Sequence, residues 1–522
     1  MELLGQQQAN IQENLSYGKK IALLICLSTL IRVLIANAVE LGNDEVYYWT
    51  YALHLQWNYF DHPPMVGLLV RFTTANLLLH TTLFVRLGAI IAAAISTWLI
   101  FKIGVFIKNE RTGWFAALLY NASLYSSIIA GTFILPDSPQ MVFWLWGILL
   151  LFRIKDTHEK GASATKLWWL FGTAAGLCMM SKVHGIFLWV AVGLYALLMD
   201  RKWLLKRDMY LAMLISIILI SPIIIWNIQN NFITYTYHGN RVNLNGGGFN
   251  TESFVRELTG SFFYNNPINF VLIWISVFGI GKMEHNKQNV QLLMLCGLPL
   301  ILLLIGISMF RDTFPHWSGP GYTGLILVAA LYLDARRPAI HQSIPRVLKA
   351  SLILLLTVVV AGIAVIQFYP GTLSTNKGNN LGDGDFTLDM YGWKETAIKM
   401  DALYRADVAN GAMPINAPII VNKWFPAAHI DFYVAPATQQ STYAIGELFD
   451  LHHYQWLNRY KAPLRKGQDA YFIMPSNNFS EGNLLFYQQQ FDTVYPPISL
   501  PIYRSGTLCK QVFVYRLKGF RG

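Results

Sequence analysis

Charge is what this sequence has least of. Lysine, arginine, aspartate and glutamate make up 13% of its 522 residues, about half the share usual for a soluble domain. So few charged side chains cannot solvate a globular surface of this length, which excludes a soluble fold and an intrinsically disordered chain. Cysteine is also scarce. Of the four, Cys26, Cys178 and Cys296 fall inside apolar runs and Cys509 stands alone in a polar region, so no framework of structural disulfides is expected. What is abundant is apolar: 54% of the residues are hydrophobic and 14% aromatic. These proportions predict an α-helical polytopic membrane protein.

A helix needs about 20 apolar residues to cross a bilayer. Runs near 20–39, 82–107, 112–132, 139–153, 167–181, 183–199, 209–227, 268–281, 290–310, 321–333 and 347–369 give about eleven crossings. Residues 65–80 carry Arg71 and two threonines and read as a lead-in to the second span or an interfacial helix. Ala36-Asn37-Ala38 resembles a cleavage site. The long apolar stretch, its polar leader and Arg32 favour an uncleaved anchor instead.

A net charge of +11 would suit nucleic-acid binding if it were clustered, but the cations sit at the ends of apolar runs. With the N-terminus inside, the inner segments hold nineteen: Lys19, Lys20, Lys102, Lys108, Arg111, Arg153, Lys155, Lys160, Lys166, Arg201, Lys202, Lys206, Arg207, Lys282, Lys287, Arg336, Arg337, Arg346 and Lys349. The outer segments before residue 370 hold four, Lys182, Arg241, Arg256 and Arg311. That asymmetry predicts a cytoplasmic N-terminus and no nucleic-acid partner. After an odd number of crossings the C-terminal part is predicted outside. Composition changes at Tyr369, so 1–369 is read as a transmembrane domain and 370–522 as an extracytoplasmic soluble α/β or α+β domain. There APIIVNKW and DAYFIMPS read as buried strands, AAHIDFYVA as helix and CKQVFVYRL as a closing strand.

Three outward turns each place an acid at the membrane boundary: Asp44-Glu45 after the first span, Asp61 in Tyr59-Phe60-Asp61-His62-Pro63-Pro64, and Asp137 in Leu135-Pro136-Asp137-Ser138-Pro139. Each has a plain structural reading as a helix cap or first-turn acid. Three such turns on one face are also how an active site at the top of a helix bundle would be built, because acids at a membrane surface mark function.

The Asp-Glu pair after the first span, the Phe-Asp-His-Pro segment and the Pro-Asp-Ser-Pro turn resemble bacterial polyprenyl-phosphate-sugar glycosyltransferases of the GT-C type. That group includes the aminoarabinose transferases that act on lipid A and relatives of protein O-mannosyltransferases. The resemblance covers residues 20–200 and extends to His316-Trp317-Ser318-Gly319-Pro320-Gly321-Tyr322 and Asp389-Met390-Tyr391-Gly392-Trp393-Lys394. It implies an inverting membrane glycosyltransferase in the bacterial inner membrane. A polyprenyl-phosphate sugar would be the donor, and lipid A of lipopolysaccharide, another glycolipid, an envelope glycan or a protein the acceptor. It implies Asp44 as the base that takes the acceptor proton, Glu45 as its orienting neighbour and Asp137 as a further catalytic acid. Asp61, His62, Lys182, Arg241, His316, Trp317 and Tyr322 are then the implied substrate-binding residues, with Lys182 on the donor phosphate. The chain departs from the aminoarabinose transferases at Asp61-His62, where they carry Glu-Lys.

No cofactor is required by the sequence. A divalent metal is compatible with His62, His238 and His316 on the outward side, with Asp61 and His238 the weak candidates, but no ligand spacing such as His-Glu-x-x-His supports one. Tyr47, Tyr48, Trp49 and Trp57 are candidates to stack on a sugar, or members of an interfacial aromatic belt. Two competing readings are a transporter or flippase of lipid-linked sugar that uses the outward carboxylates, and a module that only binds envelope glycan. The first expects acids near the bilayer midplane, and the second leaves the clustered acids unexplained.

Overall fold

The computed structural model describes residues 2–242, 248–279, 281, 287–336, 344–374 and 377–522. Lys282 and Arg337 of the inner cations, and most of the Asn/Gly-rich loop after Arg241, lie outside the described residues. Two compact units form: Met1–Leu34 with Gln56–Val358, and Ile35–Leu55 with Val359–Gly522.

The first unit is helical, and each of the eleven apolar runs falls on a helix. Among the described residues five helices are long and apolar enough by themselves to cross a membrane: Tyr17–Ala38, Thr82–Ile107, Arg207–Gln229, Lys287–Ser308 and Arg346–Phe368. The others are shorter or interrupted. The 112–132 run is the Glu110–Ala122 helix followed by a π-turn over Tyr125–Ile129. The 183–199 run is a 3-10 turn over Val183–Ile186 leading into Phe187–Leu198. Helices inside a bundle are covered by protein and need less hydropathy than those facing lipid. The Asp137–Glu159 helix is of this kind, with Trp144, Leu145, Ile148 and Leu151 fully buried. Residues 65–80 form a short helix, Met65–Thr73, and a turn that leaves Phe72 and Leu78 exposed, as an interfacial element would.

Close helix packing rests on small residues, because lipid provides no hydrophobic drive for association. A Cβ on Gly321 would meet the Gly297 carbonyl oxygen at 2.7 Å, where the Gly319–Ala335 and Lys287–Ser308 helices cross. Neither backbone can yield. Gly321→Ala is therefore expected to cost about 1–3 kcal/mol, read as a lower unfolding midpoint in detergent; an unchanged midpoint would contradict this packing. Two buried charges inside the bundle have partners on other helices. Arg32 donates to Asn121 Oδ1 at 3.0 Å, and Asp334 takes Lys108 at 2.7 Å together with Arg111.

The second unit carries a mixed six-stranded sheet. Its strands are β1 (Ile419–Val421), β2 (Thr442–Ala444), β3 (Ala470–Pro475), β4 (Phe491–Val494), β5 (Ile498–Arg504) and β6 (Thr507–Phe520). The order is β2-β1-β3-β6-β4, with β5 also on β6. The β1–β2 and β1–β3 pairs are parallel and the pairs with β6 antiparallel. Ser505 and Gly506, both at positive φ, close the β5–β6 hairpin, the geometry that matches strand twist in a two-residue turn. β3 is buried along its whole length, as a continuous apolar run predicts. Arg504 and Asp385, both fully buried, pair at 3.2 Å.

Candidate active site

In the first unit the candidate site starts from Asp137. Pro136 precedes the helix and Pro139 occupies its first turn, where a missing amide costs nothing. The Asp137 carboxylate is buried: Oδ2 takes Lys182 Nζ at 2.8 Å and Oδ1 accepts the Tyr125 hydroxyl at 2.9 Å. Lys182 is the extended residue that ends the Thr165–Ser181 helix, before the 3-10 turn. That turn is possible because Gly185 sits against the backbone of Cys178 and Met179, 2.5 Å from where its Cβ would stand. Tyr125 was not foreseen. It lies on the π-turn, and its ring occupies the space left by Gly319, which gives a physical role to the small residues of the His316–Tyr322 segment.

Four histidines surround this pair. The His62 and His238 rings are 5.9 Å apart, and His238 Nε2 donates to the Asp61 carbonyl oxygen at 2.7 Å. Asn58 donates to Thr234 Oγ1 at 2.9 Å, which ties the Asp61–His62 loop to the Ile233–Val242 helix. His184 lies 6.0 Å from Trp317, and His316 lies between Phe314 at 5.9 Å and Tyr264 at 6.2 Å. The Arg241 guanidinium stands over the Tyr237 ring at 5.1 Å and the Phe314 ring at 5.5 Å, as cation–π contacts. Tyr322 is buried in the bundle, 6.0 Å from Phe270. Asp61, His62, Asp137, Lys182, Arg241, His316 and Trp317 thus belong to one linked constellation. Among the described residues no group of three or more His, Cys, Asp or Glu has the geometry to hold a metal ion.

Burial pushes His62 down to about 3, with His238 and Lys182 acting the same way and Asp61 and Asp137 opposing. Burial pushes His316 down to about 4, with Lys182 adding to it. Both rings are neutral at pH 7. Their folded values lie below the unfolded value of about 6.5, so the stability they contribute is complete above about pH 6.5 and falls as pH drops toward 4. The unfolding midpoint is expected to fall between pH 7.5 and 5, and to fall less in a His62→Gln, His316→Gln double variant. A double variant as acid-sensitive as the parent would contradict this.

Asp44 and Glu45 belong to the second unit, in the first turn of the Asn43–Leu53 helix. Glu45 is buried, and its Oε2 turns back to accept the Gly42 amide at 2.9 Å, as in a capping box. Asp44 is exposed. Tyr47, Tyr48 and Trp49 are buried, with Tyr47 5.1 Å from Trp424 and Trp49 5.0 Å from Phe432, while Trp57 in the first unit is 65% exposed.

Comparison with known proteins agrees with this architecture. Residues 61–226, from Asp61 through Asp137 and Lys182, match the family of dolichyl-phosphate-mannose-protein mannosyltransferases. The lipid A galacturonosyltransferase RgtD of Rhizobium johnstonii is 23% identical over 320 residues, which are 60% of this chain and 66% of that protein. The chain therefore spans just under two thirds of that relative's length. ArnT from Cupriavidus metallidurans matches in its apo state with a TM-score of 0.60 and 12% identity, over 96% of this chain and 98% of that one. Its structure bound to undecaprenyl phosphate matches with a TM-score of 0.61 and 14% identity, over 95% and 98%. The fold is that of ArnT, and the chain is a multi-pass membrane protein with several long apolar helices.

Proposed function

We propose that this chain moves a sugar from a polyprenyl phosphate to a glycolipid, glycan or protein acceptor at the outer face of the bacterial inner membrane, with inversion at the anomeric carbon. The observation that carries the reading is the buried Lys182–Asp137 pair with its Tyr125 hydrogen bond, set among histidines beside apolar helices. An amphiphile with one phosphate suits such a place: its tail stays in lipid and its head meets a fixed cation. ArnT has been solved with undecaprenyl phosphate, which supports a lipid phosphate as the donor's carrier here.

In the reaction the acceptor oxygen forms a bond to the anomeric carbon as the bond from that carbon to the phosphate oxygen breaks. The electron pair leaves with the phosphate, and the acceptor proton passes to a carboxylate. Lys182 offsets the charge that develops on the leaving phosphate, Asp137 and Tyr125 hold it in place, and Asp44 is the carboxylate. His62, His238, His316 and Trp317 flank the head group, with Asp61 contributing its carbonyl to His238 and Arg241 held over Tyr237 and Phe314. The domain boundary near 369 and the outward orientation of 370–522 belong to the same proposal. A reporter fused after residue 522 should read outside, and a cytoplasmic signal would overturn the orientation.

Mass spectrometry of envelope glycolipids, glycans and glycoproteins from a deletion strain tests the function. The reading expects one defined sugar mass to disappear from one acceptor and to return with the intact gene. If every fraction keeps its sugars, the reading fails and the flippase alternative gains weight.

A further inference from the structure

The segment that carries Asp44 is gripped residue by residue by the C-terminal part of its own unit. Glu40 accepts the backbone amides of Trp393 at 2.7 Å and Lys394 at 3.0 Å, the first amides of the Trp393–Ala409 helix. The Leu41 amide donates to the Tyr433 hydroxyl at 2.8 Å. Gly42 packs against Met390, 3.6 Å from where its Cβ would stand. Asn43 Oδ1 takes His429 Nε2 at 2.9 Å, and the Asn43 side chain also bonds Asp389. Four consecutive residues before Asp44 thus have partners 340 or more positions later in the chain.

The grip is layered. The His429 ring stacks on Trp393 at 4.2 Å with an 8° tilt, Tyr433 lies beyond it at 6.0 Å, and Lys510 Nζ sits over Trp393 at 4.4 Å. His429 is fully buried, and burial holds it well below the usual histidine range, so it is neutral. The Asn43 Oδ1 can only accept, so the neutral ring carries its proton on Nε2 and donates it to Asn43. Met390, Trp393 and Lys394 all come from the Asp389–Lys394 segment, a motif that, like Asp44-Glu45, lies in the second unit.

We propose that the C-terminal domain acts in the reaction as the holder of the Asp44 turn, with Glu40, Asn43, Asp389, His429 and Tyr433 as positioning residues that fix the carboxylate at the first turn of its helix. This rests on the reading of Asp44 as the base. A grip of this kind changes rate rather than donor affinity, because a base displaced by about 1 Å costs up to about 10²-fold in rate.

The test uses the full chain in the deletion strain and purified in detergent. It scores sugar transferred to the acceptor, binding of undecaprenyl phosphate, and the unfolding midpoint. Asn43→Ala is expected to cut transfer by about 10- to 100-fold with undecaprenyl phosphate binding unchanged. His429→Gln, which keeps an N–H donor toward Asn43, should recover part of what His429→Ala loses. Wild-type transfer by Asn43→Ala beside no transfer by Asp44→Asn would overturn the holder role and leave the base reading intact. Transfer retained by Asp44→Asn would overturn the base, and the holder role with it.

Discussion

Asp44→Asn should lower sugar transfer by about 10²- to 10⁴-fold, the range for loss of a general base, with the protein still inserted and folded. Asparagine keeps the shape and the first-turn position of the aspartate but cannot take a proton. Asp44 is exposed, so its replacement disturbs no buried packing. The turn before it is held by Glu40, Leu41 and Asn43, and the Gly42 amide by Glu45, none of which is changed. Membrane abundance and unfolding midpoint should therefore match the parent while the transferred sugar mass disappears. Normal transfer by this variant would end the assignment of Asp44 as base.

The second large effect is expected at Lys182. Its ammonium and the Asp137 carboxylate are 3% and 2% exposed and 2.8 Å apart. Removing one partner of a buried pair strands the other, at about 3–5 kcal/mol. Lys182→Ala should therefore lose both stability and undecaprenyl phosphate binding, and the single variant alone does not separate the two. The double variant Lys182→Met, Asp137→Asn does: with no charge left unpaired, most of the stability should return. Binding of undecaprenyl phosphate should stay at least about 10-fold weaker, a loss of about 1.4 kcal/mol or more. A double variant that binds as tightly as the parent would exclude Lys182 from the phosphate site.

Much of the fold is legible in the sequence because hydropathy and charge act along the chain. The eleven apolar runs and the buried strands near 419–421 and 470–475 all correspond to elements of the structure. Residues brought together across the chain are less visible. Asp137 and Lys182 stand out singly as an acid and a cation between apolar runs, but their direct contact is a matter of tertiary packing. Tyr125 was missed because an aromatic in an apolar run reads as core. The signal lay in its neighbours, since Asn121, Ser123, Ser126 and Ser127 interrupt that run with polar groups, and Ser127 and Asn121 serve Arg32. His62, His238 and His316 share the outward side in sequence, whereas their assembly around one ion pair depends on loop paths no local pattern specifies. Likewise, composition shifts near Tyr369, yet residues 35–55 pack with the C-terminal unit. The bonds responsible are made by Glu40 and Asn43 to groups more than 300 residues away, a pairing that leaves no trace in composition.

The most direct test of the central claim is a stoichiometric one on the purified protein. The chain in detergent, mixed with the polyprenyl lipids and envelope acceptors extracted from the deletion strain, should free one undecaprenyl phosphate for each sugar the acceptor gains. Asp44→Asn should free none. Sugar gained by the acceptor without release of lipid phosphate, or equal release by the Asp44→Asn variant, would contradict the account.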